Sequence, residues 1–278
     1  MHNTSDVYSR RFGGLTRLYG NNSLNIFANA NILVAGIGGV GTWCAEALAR
    51  SGIGNITLVD MDHISESNIN RQLHALSSTI GQSKVNAMSE RIYQINPGCR
   101  VTIVDDFIEP DNVSSVINSK YNVVIDCTDQ LSAKISMINY CHHHGIRLLV
   151  CGGAGGKTNP LSLRAGDIAF ATHDSLLRKI RNVLRRDYGF PRPTTKSNKN
   201  KIPVMGVWTC WFEQQAILPS QWQHERSNPY MVEGATSRSD HGNRLQGLSC
   251  AGYGSLISVT ASMGMLVASR ALELLLHE

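Results

Sequence analysis

The sequence predicts an α/β fold: one doubly wound, mostly parallel sheet with helices on both faces and a C-terminal extension of the same domain. Three observations carry this. Short apolar runs alternate with helical stretches over the first half of the 278 residues, the rhythm of a parallel sheet sandwiched between helices. A glycine-rich turn, Gly36-Ile-Gly38-Gly39-Val-Gly41, joins the first apolar run to the first long helix. An acid, Asp60, closes the second run, at about the 20-residue spacing of a ribose-binding carboxylate.

Residues 1–30 read as a polar lead-in with a helix over 23–28. Residues 31–35 form a strand, 42–51 a helix and 56–59 a second strand. Apolar positions Val85, Met88, Ile92 and Ile95 recur at three- and four-residue spacing, which predicts a helix over 83–95, ended by Pro97-Gly98. A strand over 101–104, a short helix over 111–117, a strand over 123–125, a helix over 133–144 and a fifth strand over 148–150 follow. Beyond Cys151 the alternation breaks. Gly152-Gly-Ala-Gly-Gly156 is a flexible loop, 176–186 a basic helix, 191–203 a Pro- and Lys-rich loop, 207–212 a strand and 221–243 an irregular polar stretch. The nucleotide-binding half spans about residues 31–155 and the substrate-facing part about 156–278, within one domain.

The glycine turn builds a phosphate cradle. Gly36 allows the tight turn, Gly38 lets backbone approach a phosphate, Gly39 lies between, and Gly41 lets helix pack on strand. The helix N-terminus adds unpaired N–H groups and the positive end of a dipole. Asp60, Asp62, Asn68, Asn70, Arg71, Gln72, Lys84, Asp126 and Asp129 all fall at the C-terminal edge of such a sheet. Two cations, Arg71 and Lys84, with two acids, Asp126 and Asp129, suit a triphosphate with Mg²⁺. A redox dinucleotide has no use for a metal-binding carboxylate there.

The net charge of +5 and pI near 8.9 favour an acidic partner. Seven cysteines with no C-x-x-C pair suggest neither a disulfide framework nor a four-thiolate zinc site. A reducing cytoplasm fits, and the N-terminus carries no secretory signal. The apolar stretch 256–276 contains Ser258, Thr260, Ser262, Arg270 and Glu273, so it reads as a buried or subunit-interface helix and no membrane span is expected.

The ordered set Gly36-x-Gly-Gly-x-Gly41, Asp60-Met-Asp62, Ser67-Asn-Ile-Asn-Arg71-Gln72, Gly81-Gln-Ser-Lys84 and Asp126-Cys-Thr-Asp129 resembles the ubiquitin-activating-enzyme-like superfamily, a Rossmann-like, E1-like fold. Its members adenylate a carboxylate with ATP. The resemblance implies that Asp60 binds ribose, that Asn68, Arg71 and Lys84 bind phosphates, and that Asp129 binds Mg²⁺; it leaves room for a monovalent cation. It also implies a homodimer in which Arg11 reaches the partner subunit's ATP site. Arg11-Phe-Gly-Gly-Leu-Thr-Arg-Leu-Tyr-Gly20, Gly152–Gly156 and Cys250-Ala-Gly-Tyr-Gly254 resemble the bacterial tRNA threonylcarbamoyladenosine dehydratase branch. That branch cyclises t6A at position 37 of tRNA. A cysteine desulfurase or sulfur-acceptor system is a further partner the resemblance leaves open.

Nine basic residues fall in the 24 positions 178–201, against one acid, Asp187. Arg178, Lys179, Arg181, Arg185 and Arg186 lie on the predicted helix, which reads as a contact for tRNA phosphates or as an ordinary solvated face. Cys250 admits two readings. One is an acyl-accepting or substrate-holding thiol in a glycine-rich turn before a helix; the other is a small buried residue in a tight turn. Cys141-His-His-His144 is poor metal geometry, because consecutive helical residues point apart. Three rivals stand beside the dehydratase: adenylation of a small carrier protein's C-terminus for sulfur transfer, an NAD-dependent oxidoreductase, and a non-catalytic RNA-binding module.

Overall fold

The structure, a computed structural model, describes residues 4–193, 202–218 and 253–277. Its centre is a seven-stranded sheet in the order β3-β2-β1-β4-β5-β7-β6. The strands are β1 Asn31–Ala35, β2 Asn55–Val59, β3 Arg100–Val104, β4 Val123–Asp126, β5 Leu148–Cys151, β6 Leu163–Asp167 and β7 Trp208–Phe212. All neighbours pair in parallel except β6, which runs antiparallel to β7 from Leu163 opposite Phe212 to Asp167 opposite Trp208. The doubly wound sheet of the sequence reading is present. The antiparallel edge strand β6 is an addition, hidden in the sequence because Arg164, Ala165, Gly166 and Asp167 lack apolar alternation.

The helices are α1 Thr4–Phe12, α2 Thr16–Tyr19, α3 Ser23–Asn29, α4 Gly41–Arg50, α5 Lys84–Ile95, α6 Val113–Val116, α7 Leu131–His144, α8 Ser175–Asp187 and α9 Ile257–Leu276. The lead-in is therefore more helical than its polar composition suggests. Tyr8 anchors α1 by donating its hydroxyl to the Gly52 carbonyl at 2.6 Å. The helix expected over 111–117 shrinks to the four residues of α6.

Burial follows the pleat. Ile32 and Val34 of β1 join a core with α4 and α9, whereas Leu33 and Ala35 join another with α6 and α7. Each is at most 1% exposed, as a strand covered on both faces requires. A third cluster gathers α8 side chains Leu177, Ile180 and Leu184 against Trp211 of β7.

Helix α9 is long and apolar enough, by length and composition, to cross a membrane. Its residues Val259, Met263, Gly264, Val267, Ala271 and Leu275 are buried at three- and four-residue spacing, a stripe that packs on α4. Gly264 makes the close approach, since a Cβ there would stand 2.5 Å from the Val40 carbonyl oxygen. Helix α9 thereby leans on the start of α4, where the glycine turn ends.

Candidate active site

The strand order reverses on either side of β1, so a crevice opens between the ends of β1 and β4, where ligands bind in doubly wound sheets. The crevice is a cleft of about 400 Å³, lined by Gly36, Gly38, Gly39, Asp60, Asp62, Asn68, Arg71, Gln72, Lys84 and Asp129. One sequence segment after another thus meets at one place.

The glycine turn closes the bottom. Gly36 has φ +83°, and its Cβ would fall 2.8 Å from the Thr128 nitrogen. A Cβ on Gly41 would fall 1.8 Å from the Gly36 carbonyl oxygen, so helix and strand approach as only glycine allows. Gly38 faces open space, with nothing nearer to such a Cβ than Gln72 Nε2 at 4.0 Å. No side chain caps the start of α4 among the described residues. Its first N–H groups and positive dipole end therefore suit an anion.

Asp60 is buried at the end of β2. Its Oδ2 accepts from the Ile37 N–H at 2.7 Å and its Oδ1 from the Asp62 N–H at 2.9 Å. Burial pushes its carboxyl above the usual value, and the Lys84 ammonium 3.8 Å away opposes that. A carboxylate offers about four lone-pair sites, so two remain for hydroxyl donors. Lys84 is 6% exposed and pairs at 2.6 Å with Asp62, whose side chain is 54% exposed. Asn68 accepts from the Ser65 N–H at 3.1 Å and closes a capping box that shapes the segment after β2. Arg71 donates to the Ser67 carbonyl at 2.8 Å, and its own carbonyl accepts from the Trp43 indole at 3.1 Å. Gln72 is buried with its Oε1 lacking a hydrogen-bond partner among the described residues.

Three residues named from the sequence for this edge do not line the cleft: Gly41, Asn70, which donates to the Ser255 carbonyl at 2.9 Å, and Asp126. Asp126 is completely buried and does not line the cleft. Its Oδ1 accepts from the Thr128 N–H at 3.0 Å and the Thr128 hydroxyl at 2.7 Å, and Lys134 Nζ lies 3.0 Å away. Asp126 therefore holds the turn that carries Asp129 and cannot touch a nucleotide. Burial raises the Asp126 carboxyl, while the Asp126 carboxylate raises Lys134 against its own desolvation. The first direction favours a neutral pair and the second a charged one; three donors converging on Oδ1 favour the charged pair.

Other elements border the cleft without having been named for it. Gly152, Gly153 and Leu176 line it. Buried Asp174 ties them together from behind, accepting from the Gly153 N–H at 2.7 Å with one oxygen and capping α8 through the Leu177 N–H at 2.9 Å with the other. The sequence signal was an aspartate just before a helical run. Buried Lys157 braces the same loop by donating to the His173 carbonyl at 2.9 Å and to the Gln214 carbonyl. Asp106, Phe107 and Ile108, after β3, form another wall. His74 sits behind the glycine turn with Nε2 3.2 Å from the Ile37 carbonyl, and burial lowers its pKa to about 4. It is neutral at pH 7.

Several expected residues stand apart. Arg11 donates to the Gln94 and Ile95 carbonyls at 3.1 and 2.6 Å, within its own chain at the end of α5. On α8, Arg178, Lys179 and Arg186 are exposed. Arg181 donates to the Ile168 and Ala171 carbonyls and Arg185 to the Pro191 carbonyl. His143 and His144 each place Nδ1 within 2.8 Å of the carbonyl four residues back. Residues 194–201 and 219–252, Cys250 among them, lie outside the described residues. The chain resumes at Tyr253, packed on Gly155; Gly254 accepts from the Gly156 N–H at 2.8 Å, and Ser255 lines the cleft.

The ThiF family model matches residues 8–278. The chain belongs to the ThiF family. It is 43% identical over 274 residues to a tRNA threonylcarbamoyladenosine dehydratase of Haemophilus influenzae, covering 98% of this chain and 96% of that one. It is 42% identical to the Escherichia coli protein of the same name, covering 97% and 94%. A crystal structure of that E. coli enzyme in complex with ATP superposes with a TM-score of 0.82 at 38% identity, covering 99% of this chain and 97% of that one.

In this ThiF-family chain the Asp126–Lys134 pair is fully buried on both sides. Lys134→Met should cost about 3–5 kcal/mol, because it strands a buried carboxylate. Arg164→Ala, which breaks the exposed pair with Glu213 at 3.1 Å, should cost no more than about 1 kcal/mol. Urea denaturation of both variants checks the contrast; equal costs would remove Asp126 from its proposed holding role.

Proposed function

We propose that this chain dehydrates N6-threonylcarbamoyladenosine at position 37 of tRNA to its cyclic form, using ATP to adenylate the threonyl carboxylate. One observation carries the reading: the likeness to dehydratases runs over the whole chain, including the half beyond Cys151. The cleft supplies what the chemistry needs.

The threonyl carboxylate is unreactive toward an internal nucleophile. One of its oxygens bonds the α-phosphorus of ATP, and the bond to the β-phosphate oxygen breaks, releasing pyrophosphate. The carbamoyl oxygen or nitrogen of the same modification then bonds the acyl carbon, and AMP leaves with the oxygen it gained. Ring closure within one substrate has a high effective molarity, so the protein mainly holds geometry.

In this reading the lone pairs of Asp60 accept from the ribose hydroxyls. Gly38 and the N-terminus of α4 cradle phosphate, and Asn68 and Arg71 hold its oxygens. Lys84 exchanges part of its Asp62 contact for phosphate. Asp129 lines the cleft, and its carboxylate oxygens are the kind of donor Mg²⁺ takes, the rest of its octahedral shell coming from phosphates and water. Asp129 would hold the ion, which supplies charge neutralisation to the phosphates when bound. The enzyme is read as a cytoplasmic homodimer in which Arg11 swings from the end of α5 to the partner's site.

Incubation of t6A-containing tRNA with enzyme and ATP, followed by mass spectrometry of the nucleosides, should show t6A losing one water. Asp129→Ala should slow this by about 10²-fold or more with the fold unchanged by circular dichroism. Retention of a carrier protein instead of tRNA, with no loss of water, would move the chain to sulfur-carrier adenylation.

The basic helix supports the tRNA reading, because α8 begins at the cleft wall through Leu176 and carries Arg178, Lys179 and Arg186 outward. Alanine at these three positions should lower the log–log salt slope of tRNA binding by about 0.7–0.9 for each phosphate no longer neutralised. Arg181→Ala should instead lower stability and leave the slope alone. A wild-type slope in the triple variant would leave α8 as a solvated face.

If Arg11 acts across a dimer, mixing inactive Arg11→Ala with inactive Lys84→Ala should restore activity, since random pairing rebuilds about a quarter of the sites. Mass-verified subunit exchange with no recovery would confine Arg11 to its own chain.

A further inference from the structure

Four cysteines of this chain gather where no step above uses them. The parallel register continues past Asp126 opposite Val150 and pairs Cys151 with Cys210. Cys127, Cys151 and Cys210 consequently form one row across β4, β5 and β7. Their sulfurs are 3.8 Å apart from Cys127 to Cys151 and 3.8 Å from Cys151 to Cys210. Cys44 of α4 lies close enough to hydrogen-bond Cys127. The members differ in access. Cys127 is half-buried and lines the nucleotide cleft, whereas Cys151 and Cys210 are 1% and 0% exposed.

We propose that Cys127 and Cys151 are an oxidisable pair at the floor of the cleft, joined into a disulfide by a small peroxide that enters the nucleotide-free site, and shielded by bound nucleotide. Geometry permits the bond. Adjacent strands lie about 4.7–4.9 Å apart, inside the roughly 4.4–6.8 Å Cα separation that disulfides use. Rotation of the two side chains, with a small shift of Cys127 toward β5, closes the remaining gap between sulfurs. The peroxide meets Cys127 first because, among the described cysteines, it is the one that lines the cleft.

The steps balance. The Cys127 sulfur bonds one peroxide oxygen, the O–O bond breaks, and the second oxygen leaves as water with the Cys127 proton. The Cys151 sulfur then bonds the Cys127 sulfur, the S–O bond breaks, and a second water leaves with the Cys151 proton. Peroxide is reduced by two electrons and the two thiols are oxidised. Cys151 is suited to the second step. Hydrogen bonds from the Cys127 and Cys210 thiols, with the positive charge of Lys134 nearby, draw its pKa well below the usual thiol value, and thiolate character promotes attack.

The bond would matter to the site. Cys127 backbone presses on Gly36, where a Cβ would meet the Cys127 carbonyl at 2.9 Å, and the turn it opens carries Asp129. Drawing Cys127 toward β5 shifts that turn, so the oxidised protein should bind ATP less well.

The test uses the full-length wild-type protein. Treatment with hydrogen peroxide, alkylation of remaining thiols and non-reducing peptide mapping should yield a Cys127–Cys151 linked peptide. ATP at ten times its Kd should slow its formation about tenfold, as the nucleotide-free fraction falls by that factor. ATP binding by calorimetry should drop after oxidation and return with dithiothreitol. In Cys151→Ala the reaction should stop at a Cys127 sulfenic acid that dimedone traps; if that variant does not fold, the wild-type map decides. No linked peptide, or a Cys151–Cys210 link in its place, overturns the inference. The shielding arm rests on the ATP reading, but the link does not. A link that forms equally fast with ATP shown to be bound sinks the inference and leaves the function standing. Absence of ATP binding to reduced protein sinks the function, and the linked peptide still decides the pair.

Discussion

The contact between Gly36 and Gly41 sets the terms for the rest of this fold. A Cβ on Gly41 would stand 1.8 Å from the Gly36 carbonyl oxygen, a distance no other residue tolerates. Because both positions are glycine, β1 turns into α4 within five residues and the start of α4 meets the crevice. The same constraint reaches across the sheet. Gly36 lies against the Cys127–Thr128 peptide after β4, so the ends of β1 and β4 are fixed relative to each other. Helix α9 in turn lies on the first turn of α4 through Gly264. The C-terminal helix, the cradle and the Asp129 turn are therefore one mechanical unit.

Electrostatics within that unit are arranged in two depths. At the floor, Asp126 and Lys134 neutralise each other out of reach of solvent. Higher up, Lys84 lies between Asp60 and Asp62, and its closer partner, Asp62, is half-exposed. His74, which would otherwise add positive charge behind the turn, is held neutral by burial. The upper layer holds the mobile charge: Lys84 is itself buried, but Asp62 is half-exposed, so water can solvate its carboxylate when a phosphate takes over the ammonium. The lower layer cannot be rearranged so cheaply.

Much of this was legible because the relevant signals are local. Strand, glycine turn, helix, strand and acid each follow from a few adjacent residues, and β1, α4, β2 and α5 fall within about two residues of where the sequence puts them, the uncertainty any boundary carries. The acid at the end of β4 shows where local reading stops. Asp126 and Asp129 look alike in sequence, both at a strand end. Which one faces ligand depends on Lys134, eight residues on and inside the next helix. A lone lysine among Ala133, Ile135, Met137 and Ile138 was the visible trace. Strand β6 escaped for a different reason: an antiparallel edge with exposed Arg164 and Ala165 needs no apolar alternation.

The basic helix carries the argument one step further. Charge counting treats its arginines as equivalent, but packing divides them. Arg181 and Arg185 give their donors to carbonyls close beside α8, and so they act as framework. Arg178, Lys179 and Arg186 remain at the surface, Arg186 paired there with Asp187 at 2.7 Å. Asp174 ties the same helix to Gly153 at the cleft, which fixes the distance from the outward charges to the nucleotide. A polyanion bound along those charges is thus held in a set register to the cleft. A substrate whose reacting carboxylate sits on a large nucleic acid needs that coupling; a small free carboxylate does not.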